Sequence, residues 1–246
     1  MDRMLYLAMT GARQMLAAQA ASANNLANAA TTGFRADFEA MRAMPVFGPG
    51  HPSRVYAMTE RPGTHFGEGA IELTGNELDL AINGPGFIAV RARDGSEAYT
   101  RAGNLTQDIN GVLMTVTGLP VLGNGGPIAI PQSEKMEIGV DGTISVRPVG
   151  QAANTMAQVD RIKLVNPPIA DLVKGDDGLI RLKSGAPAQP DALVRVSQGF
   201  IETSNVNAVA EMVNMITLQR NFELQVRAMR TAEDTDAATA QLLRLT

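Results

Sequence analysis

The sequence predicts an α+β protein in which both ends of the chain form a discontinuous helical, coiled-coil-like domain and an all-β domain is inserted between them. Three observations carry this prediction. Residues 204–246 contain neither Gly nor Pro and repeat apolar residues at helical spacing. Residues 2–31 repeat them in the same way. The stretch between breaks into short apolar or alternating runs separated by Gly, Pro, Asn and Asp. The boundaries read from these patterns are 1–44 for the N-terminal helix and linker, 45–199 for the β-rich insert with a Pro/Gly connector, and 200–246 for the long C-terminal helix.

A chain of 246 residues with 45% hydrophobic content is large enough to bury a core. Its net charge of -4 offers no basic patch for nucleic acid or an anionic membrane. The absence of Cys excludes disulfides, a thiolate zinc site and a Cys nucleophile. Trp is absent and aromatics make up only 4%, while 13 Met are present. That balance suits adaptable packing between subunits better than a rigid aromatic pocket.

The first helix is expected from Asp2 to about Thr31, with Leu5, Ala8, Met9, Ala12, Met15, Leu16, Ala23 and Leu26 on one side. Asp2, Arg13 and Gln14 interrupt any signal-peptide core, and Gln19, Ser22, Asn24 and Asn25 are too polar for a membrane span. A small-residue face packing closely on other helices accounts for the pattern better. Thr31, Thr32 and Gly33 end it.

From Pro45 to Gly69, recurrent Pro and Gly predict an extended connector. Strands are then expected at 78–82, 87–90, 112–116, 137–140, 143–146, 161–165, 179–182 and 193–196. Asp141-Gly142 and Asn110-Gly111 signal tight hairpins.

The last helix has Ser204 and Asn205 as N-cap types and Glu211 near its positive end. Its main stripe runs Met212, Met215, Leu218, Phe222, Val226 and Met229, then Ala240 and Leu243; Val209, Val213 and Ile216 widen it. Glu223 and Arg227 suit an i to i+4 ion pair. At 1.5 Å per residue the helix is roughly 60 Å long, more than a compact domain of this size spans. It therefore needs partners outside its own globule. Neither terminal helix can bury its apolar face alone, so the two are expected to pair.

Gly84-Pro85-Gly86-Phe87-Ile88-Ala89 formally fits a dinucleotide fingerprint, which would make the chain an oxidoreductase. That motif needs a helix after the glycines, whereas residues 87–90 read as a strand, so a tight turn is the better account. His51 and His65 lie in the connector without a second ligand at metal spacing. Asp108 and Asp176-Asp177 sit beside Gly as turn formers. No catalytic constellation emerges, and neither enzyme activity, cofactor nor metal is expected.

Ala23-Asn24-Asn25-Leu26-Ala27-Asn28, followed by Thr32-Gly33-Phe34-Arg35, resembles the N-terminal signature of bacterial flagellar rod and hook proteins. The resemblance continues through Thr74-Gly75-Asn76-Glu77-Leu78-Asp79-Leu80-Ala81-Ile82, Gly84-Pro85-Gly86-Phe87, Tyr99-Thr100-Arg101-Ala102-Gly103, Gly111-Val112-Leu113 and Ser204-Asn205-Val206-Asn207. The opening residues 1–6, with 211–216 and 219–223, are most similar to the proximal-rod branch of that family rather than its distal-rod branch.

The resemblance implies a non-enzymatic structural subunit of the proximal rod in the flagellar basal body, part of the axial drive shaft that transmits torque. It also implies export by the flagellar type III apparatus without a cleaved signal, assembly in the periplasm, and partners that are copies of itself and other rod proteins. Alternatives are a distal-rod subunit or a non-flagellar periplasmic or cell-surface binding module. Stripes and resemblance together place an assembly interface at Leu5, Met9, Ala12, Met15, Leu16, Asn24, Asn25, Leu26 and Asn28, and at Met212, Met215, Ile216, Phe222, Val226, Met229 and Leu243. Phe222 and Met229, two turns apart, are expected to face neighbouring subunits. The Asn cluster has two readings: capping at the helix end, or hydrogen bonding across subunits, which the resemblance favours.

Overall fold

The computed structural model describes residues 4–47, 55–148, 150 and 156–244. It is a mixed α and β protein with a helix at each end and a mostly β middle. Two compact units divide the chain: one takes residues 1–29, 36–65 and 206–246, the other residues 30–35 and 66–205.

In the first unit, helix α1 spans Met4–Ala27 and helix α2 spans Ala208–Arg244. With 24 and 37 residues they are about 36 and 55 Å long. Asn207, rather than Ser204 or Asn205, caps α2, because Asn207 Oδ1 accepts the backbone N–H of Ala210 at 3.1 Å. Between the helices in sequence, strands β1 (Asp37–Pro45) and β2 (Val55–Thr64) form an antiparallel hairpin that packs on α1. Hairpin arms thus occupy much of the span whose composition suggested an extended connector, and residues 36–65 group with the terminal helices. Backbone pairing from Asp37↔Thr64 to Pro45↔Val55, with one register shift after Glu39, accommodates Pro45 and Pro62 in a ribbon whose two strands are both edges.

The second unit holds the remaining strands. They are β3 (Ile71–Leu73), β4 (Leu80–Asn83), β5 (Phe87–Arg91), β6 (Glu97–Thr100), β7 (Leu105–Gln107) and β8 (Leu113–Thr115). β9 (Ser133–Ile138), β10 (Thr143–Pro148), β11 (Ala157–Arg161) and β12 (Leu164–Val165) follow. β13 (Leu172–Lys174), β14 (Ile180–Leu182), β15 (Arg195–Gln198) and β16 (Phe200–Glu202) complete the set. The largest sheet has the order β12-β5-β6-β14-β13, beside a three-stranded β11-β10-β9 sheet and the pairs β15-β4, β16-β3 and β7-β8.

Both tight-turn signals form hairpins. Gly142 adopts φ +83° between β9 and β10, and Gly111 adopts φ +82° between β7 and β8. β5 shows why its sequence is an unbroken apolar run. Ile88 and Val90 point into a cluster with Leu80, Leu113, Val121 and Ile144, while Phe87 and Ala89 join Tyr99, Val165 and Ile180 on the other face. A strand covered on both faces has no solvent side to alternate with.

Gly84 and Gly86 both have positive φ, and the chain enters β5 directly after them. The turn therefore lacks the helix N-terminus that pyrophosphate recognition uses. A side chain at Gly86 would also lie 2.8 Å from Val194.

Candidate assembly surface

α1 and α2 pack against each other in antiparallel sense. Asn25 Nδ2 donates to Glu211 Oε1 at 2.9 Å, and Asn214 Nδ2 donates to Ser22 Oγ at 2.9 Å. Gly11 meets Gln225, whose Cδ would lie 3.0 Å from an added Cβ. Equal steps along the two helices, in opposite directions, connect these contacts. Ala8, Gly11, Ala12, Ser22 and Asn25 are buried along α1, so its small residues let the α2 side chains come close. On α2 the buried Leu218 and Ala232 share a face with the half-buried Met215, Phe222, Gln225 and Met229, at steps of three and four. The same register sets Phe222 level with Gln14 and Met229 level with Leu7, and α2 continues to Arg244 past the level of Met4.

The stripe read from the sequence as a single face is therefore two. Ala12, Asn25, Met215, Phe222 and Met229 lie on the inner faces, with Met15, Leu26 and Val226 half-buried beside them. Leu5, Met9 and Leu16 on α1, and Met212 and Ile216 on α2, are exposed. Val209, Val213 and Leu224 extend the exposed row on α2, Val213 being 60% exposed. Phe38, Met41 and Met44 on β1, Phe47 just after it, and Val55 and Met58 on β2 are exposed too. Leu243 lies in the last turn of α2, and its side chain is outside the described residues, as is all of His51. Glu223 and Arg227 form no ion pair among the described residues, both being exposed.

The asparagines settle into local work. Asn25 donates to Asp37 O at 2.7 Å as well as to Glu211, and its Oδ1 accepts the Asp37 N–H at 2.8 Å. One side chain so ties α1, the entry to the hairpin and the first turn of α2. Asn28 Nδ2 donates to Asn24 O at 2.9 Å and to Asn24 Oδ1 at 3.2 Å. The expected hydrogen bonding across subunits does not extend to Asn25, whose amide is buried and committed within the chain.

The second unit holds a polar cluster that sequence reasoning missed. Glu202, on β16, is buried with Arg35 and Arg101. Its Oε2 accepts from Arg101 Nη1 at 2.6 Å; its Oε1 lies 2.7 Å from Arg35 Nη2 and accepts the Gly69 N–H at 2.7 Å. Arg101 also donates to Gly84 O and sits over the Phe87 ring at 5.6 Å. Burial pulls the Arg35 guanidinium below its ordinary pKa, against the pull of Glu202 in the other direction. Nearby in the same unit, Tyr99 accepts the Ala188 N–H at 2.7 Å and donates to Glu97 at 3.0 Å. Its burial, aided by Glu97, pushes the phenol up to about 12. The sequence signal for Glu202 was slight: Arg35 and Arg101 appear in recognisable motifs, but their shared partner stands in an ordinary strand.

The aspartates flagged as turn formers behave so. Asp177 accepts from the Leu179 N–H and pairs with Arg181 at 2.7 Å; Asp108 O accepts the Gly111 N–H. Among the described residues no group of three or more His, Asp or Glu side chains is arranged to hold a metal, and no helix is long and apolar enough to cross a membrane.

Residues 197–242 match the flagellar basal body rod FlgEFG protein C-terminal model, and residues 81–146 match the flagellar hook protein FlgE/F/G D1 domain model. The chain is 43% identical to the flagellar basal-body rod protein FlgF of Escherichia coli over 100% of both chains. It is 39% identical to FlgF of Salmonella typhimurium, again over 100% of both. Identity to the rod protein FlgG of Buchnera aphidicola is 34%, covering 89% of this chain and 91% of that one.

Proposed function

From the premise that the chain belongs to the flagellar basal-body rod family, we infer that it builds the rod by covering the exposed stripes of its terminal helices with neighbouring subunits. It is a structural subunit of the proximal rod and not an enzyme. The FlgF relatives of Escherichia coli and Salmonella typhimurium, at 43% and 39%, are more similar than the Buchnera aphidicola FlgG at 34%, which favours the proximal over the distal position.

The observation that carries the assembly reading is the two-sidedness of the helix pair. Antiparallel α1 and α2 bury one stripe on each other and still leave Leu5, Met9, Leu16, Met212, Val213 and Ile216 in water. Contiguous apolar rows of this kind mark interaction surfaces. Subunits repeating one such contact head to tail generate an open helical array when the rotation between them does not close into a ring. In that array the inner stripes act as a coiled-coil-like seam within each subunit, and the outer stripes, with Leu243 at the far end of α2, meet copies of the chain and other rod proteins. A helical shaft so made transmits torque along its axis. Export through the flagellar type III apparatus and assembly in the periplasm belong to the same reading.

The test is a strain lacking this chain, complemented with an epitope-bearing copy. Swimming should depend on the copy, and purified basal bodies should carry the epitope in the rod. Swimming without the chain, or basal bodies free of it, would overturn the assignment.

A further inference from the structure

All the sulfur in this chain is thioether, since it has 13 Met and no Cys. The structure sorts these side chains unequally. Met9 on α1 is 54% exposed and Met212 on α2 is 50% exposed, both on the outer stripes, while Met136 in the β unit is only 8% exposed. Met215 and Met229, on the inner face of α2, are half-buried. No thiol competes for an oxidant, so the exposed thioethers are the softest nucleophiles in the molecule.

We propose that Met9 and Met212 are oxidation sites at which two-electron oxidants such as hydrogen peroxide close the free subunit to assembly. The sulfur lone pair attacks one peroxide oxygen and the O–O bond breaks. Methionine becomes the sulfoxide, losing two electrons, and the peroxide is reduced to water. The product places a polar, chiral S=O group where an apolar, adaptable side chain stood. A sulfoxide on an outer stripe would have to be buried against a neighbour's apolar residues without a hydrogen-bond partner, which disfavours docking. Oxidation precedes assembly, because a docked neighbour would shield the same sulfurs. A peptide methionine sulfoxide reductase, taking two electrons from a dithiol that becomes a disulfide and releasing the oxygen as water, restores the thioether, so the free subunit is switched rather than destroyed.

The proposal rests on the outer stripes being assembly faces, and two measurements separate it from that reading. The full chain is treated with dilute hydrogen peroxide and its Met-containing peptides are followed by mass spectrometry. Met9 and Met212 should gain oxygen at least about fivefold faster than Met136. Equal rates, or Met136 leading, overturn the proposal whatever the chain assembles into. In the complemented strain, Met9→Gln with Met212→Gln stands in for the sulfoxides, and Met9→Leu with Met212→Leu is the oxidation-proof apolar control. The Leu pair should swim like the parent and the Gln pair should lose at least about tenfold in halo expansion, with both exported equally. A Gln pair that swims like the Leu pair, or a Leu pair that fails, overturns the proposal. Swimming by the strain with no copy at all overturns the assembly reading instead, leaving the oxidation map to stand by itself.

Discussion

The β unit and the helical unit spend similar residues in opposite ways. In the β unit, Leu80, Ile88, Leu113, Ile128, Ile144 and Val165 all disappear into two clusters, and exposed aliphatics such as Ile109 and Leu193 stand in turns, with Ile71 and Leu73 exposed on the short β3. In the helical unit, the exposed aliphatics and Met line up in rows along α1, α2 and the hairpin. The β unit closes its core within one chain. The helical unit pairs its two helices and leaves a second apolar row on each of them in water. Apolar content does not distinguish the two; the geometry of what stays wet does.

The largest test of this contrast is Glu202→Ala. It leaves two buried guanidiniums without their shared counter-charge, and should destabilise the β unit by about 3–5 kcal/mol, read as a lowered thermal midpoint. If the midpoint hardly moves, the β unit is not closed around that cluster. Next comes alkaline pH. Tyr99 ionises near 10.0 when unfolded and near 12 when folded, so its contribution is complete below pH 10 and is lost as pH climbs through 12. The loss should reach about 2–3 kcal/mol, and denaturant titrations of Tyr99→Phe between those pH values should lack that slope.

Smaller effects are expected in the helical unit. Asn207→Ala removes the N-cap bond of α2 and should cost about 1 kcal/mol, measured as helical circular dichroism lost on mild heating. Smallest for the isolated chain is Ile216→Asp. On an exposed face it should shift stability by no more than about 0.5 kcal/mol, yet abolish swimming in complemented cells. A large loss of monomer stability there would show that the outer stripe is covered within the chain, and the contrast between the units would fail. Phe222→Asp has a different expectation, since its inner-face position predicts that pairing of α1 with α2 suffers first.

Much of this was legible in the residues. Helical period without Gly or Pro marked α2, and Asp141-Gly142 and Asn110-Gly111 marked two hairpins, because these features are local. Short strands such as β6 and β16 were not legible: Glu97 and Glu202 look like solvent-facing residues until a distant Lys or Arg is known to cover them. The β1-β2 ribbon hid behind Pro and Gly, which composition reads as connector but an edge ribbon tolerates. Periodicity found the apolar sides of both helices, and could not tell the side facing the other helix of the same chain from the side left exposed. Asn25 misled for the same reason. An amide that serves a neighbour and one that ties its own chain are identical in sequence.

The Glu202 cluster bears on how such a chain can change over generations. Arg35, Arg101 and Glu202 come from three distant codons and are not equivalent: losing Glu202 strands two buried guanidiniums, whereas losing either arginine leaves Glu202 paired with the other. Replacing all three together by well-packed apolar residues can be close to neutral, but a route that loses Glu202 before the arginines passes through a weakened intermediate. Glu202 should therefore be inherited wherever both arginines stand, and a double-mutant cycle on Arg101 and Glu202 should show strong coupling rather than additivity.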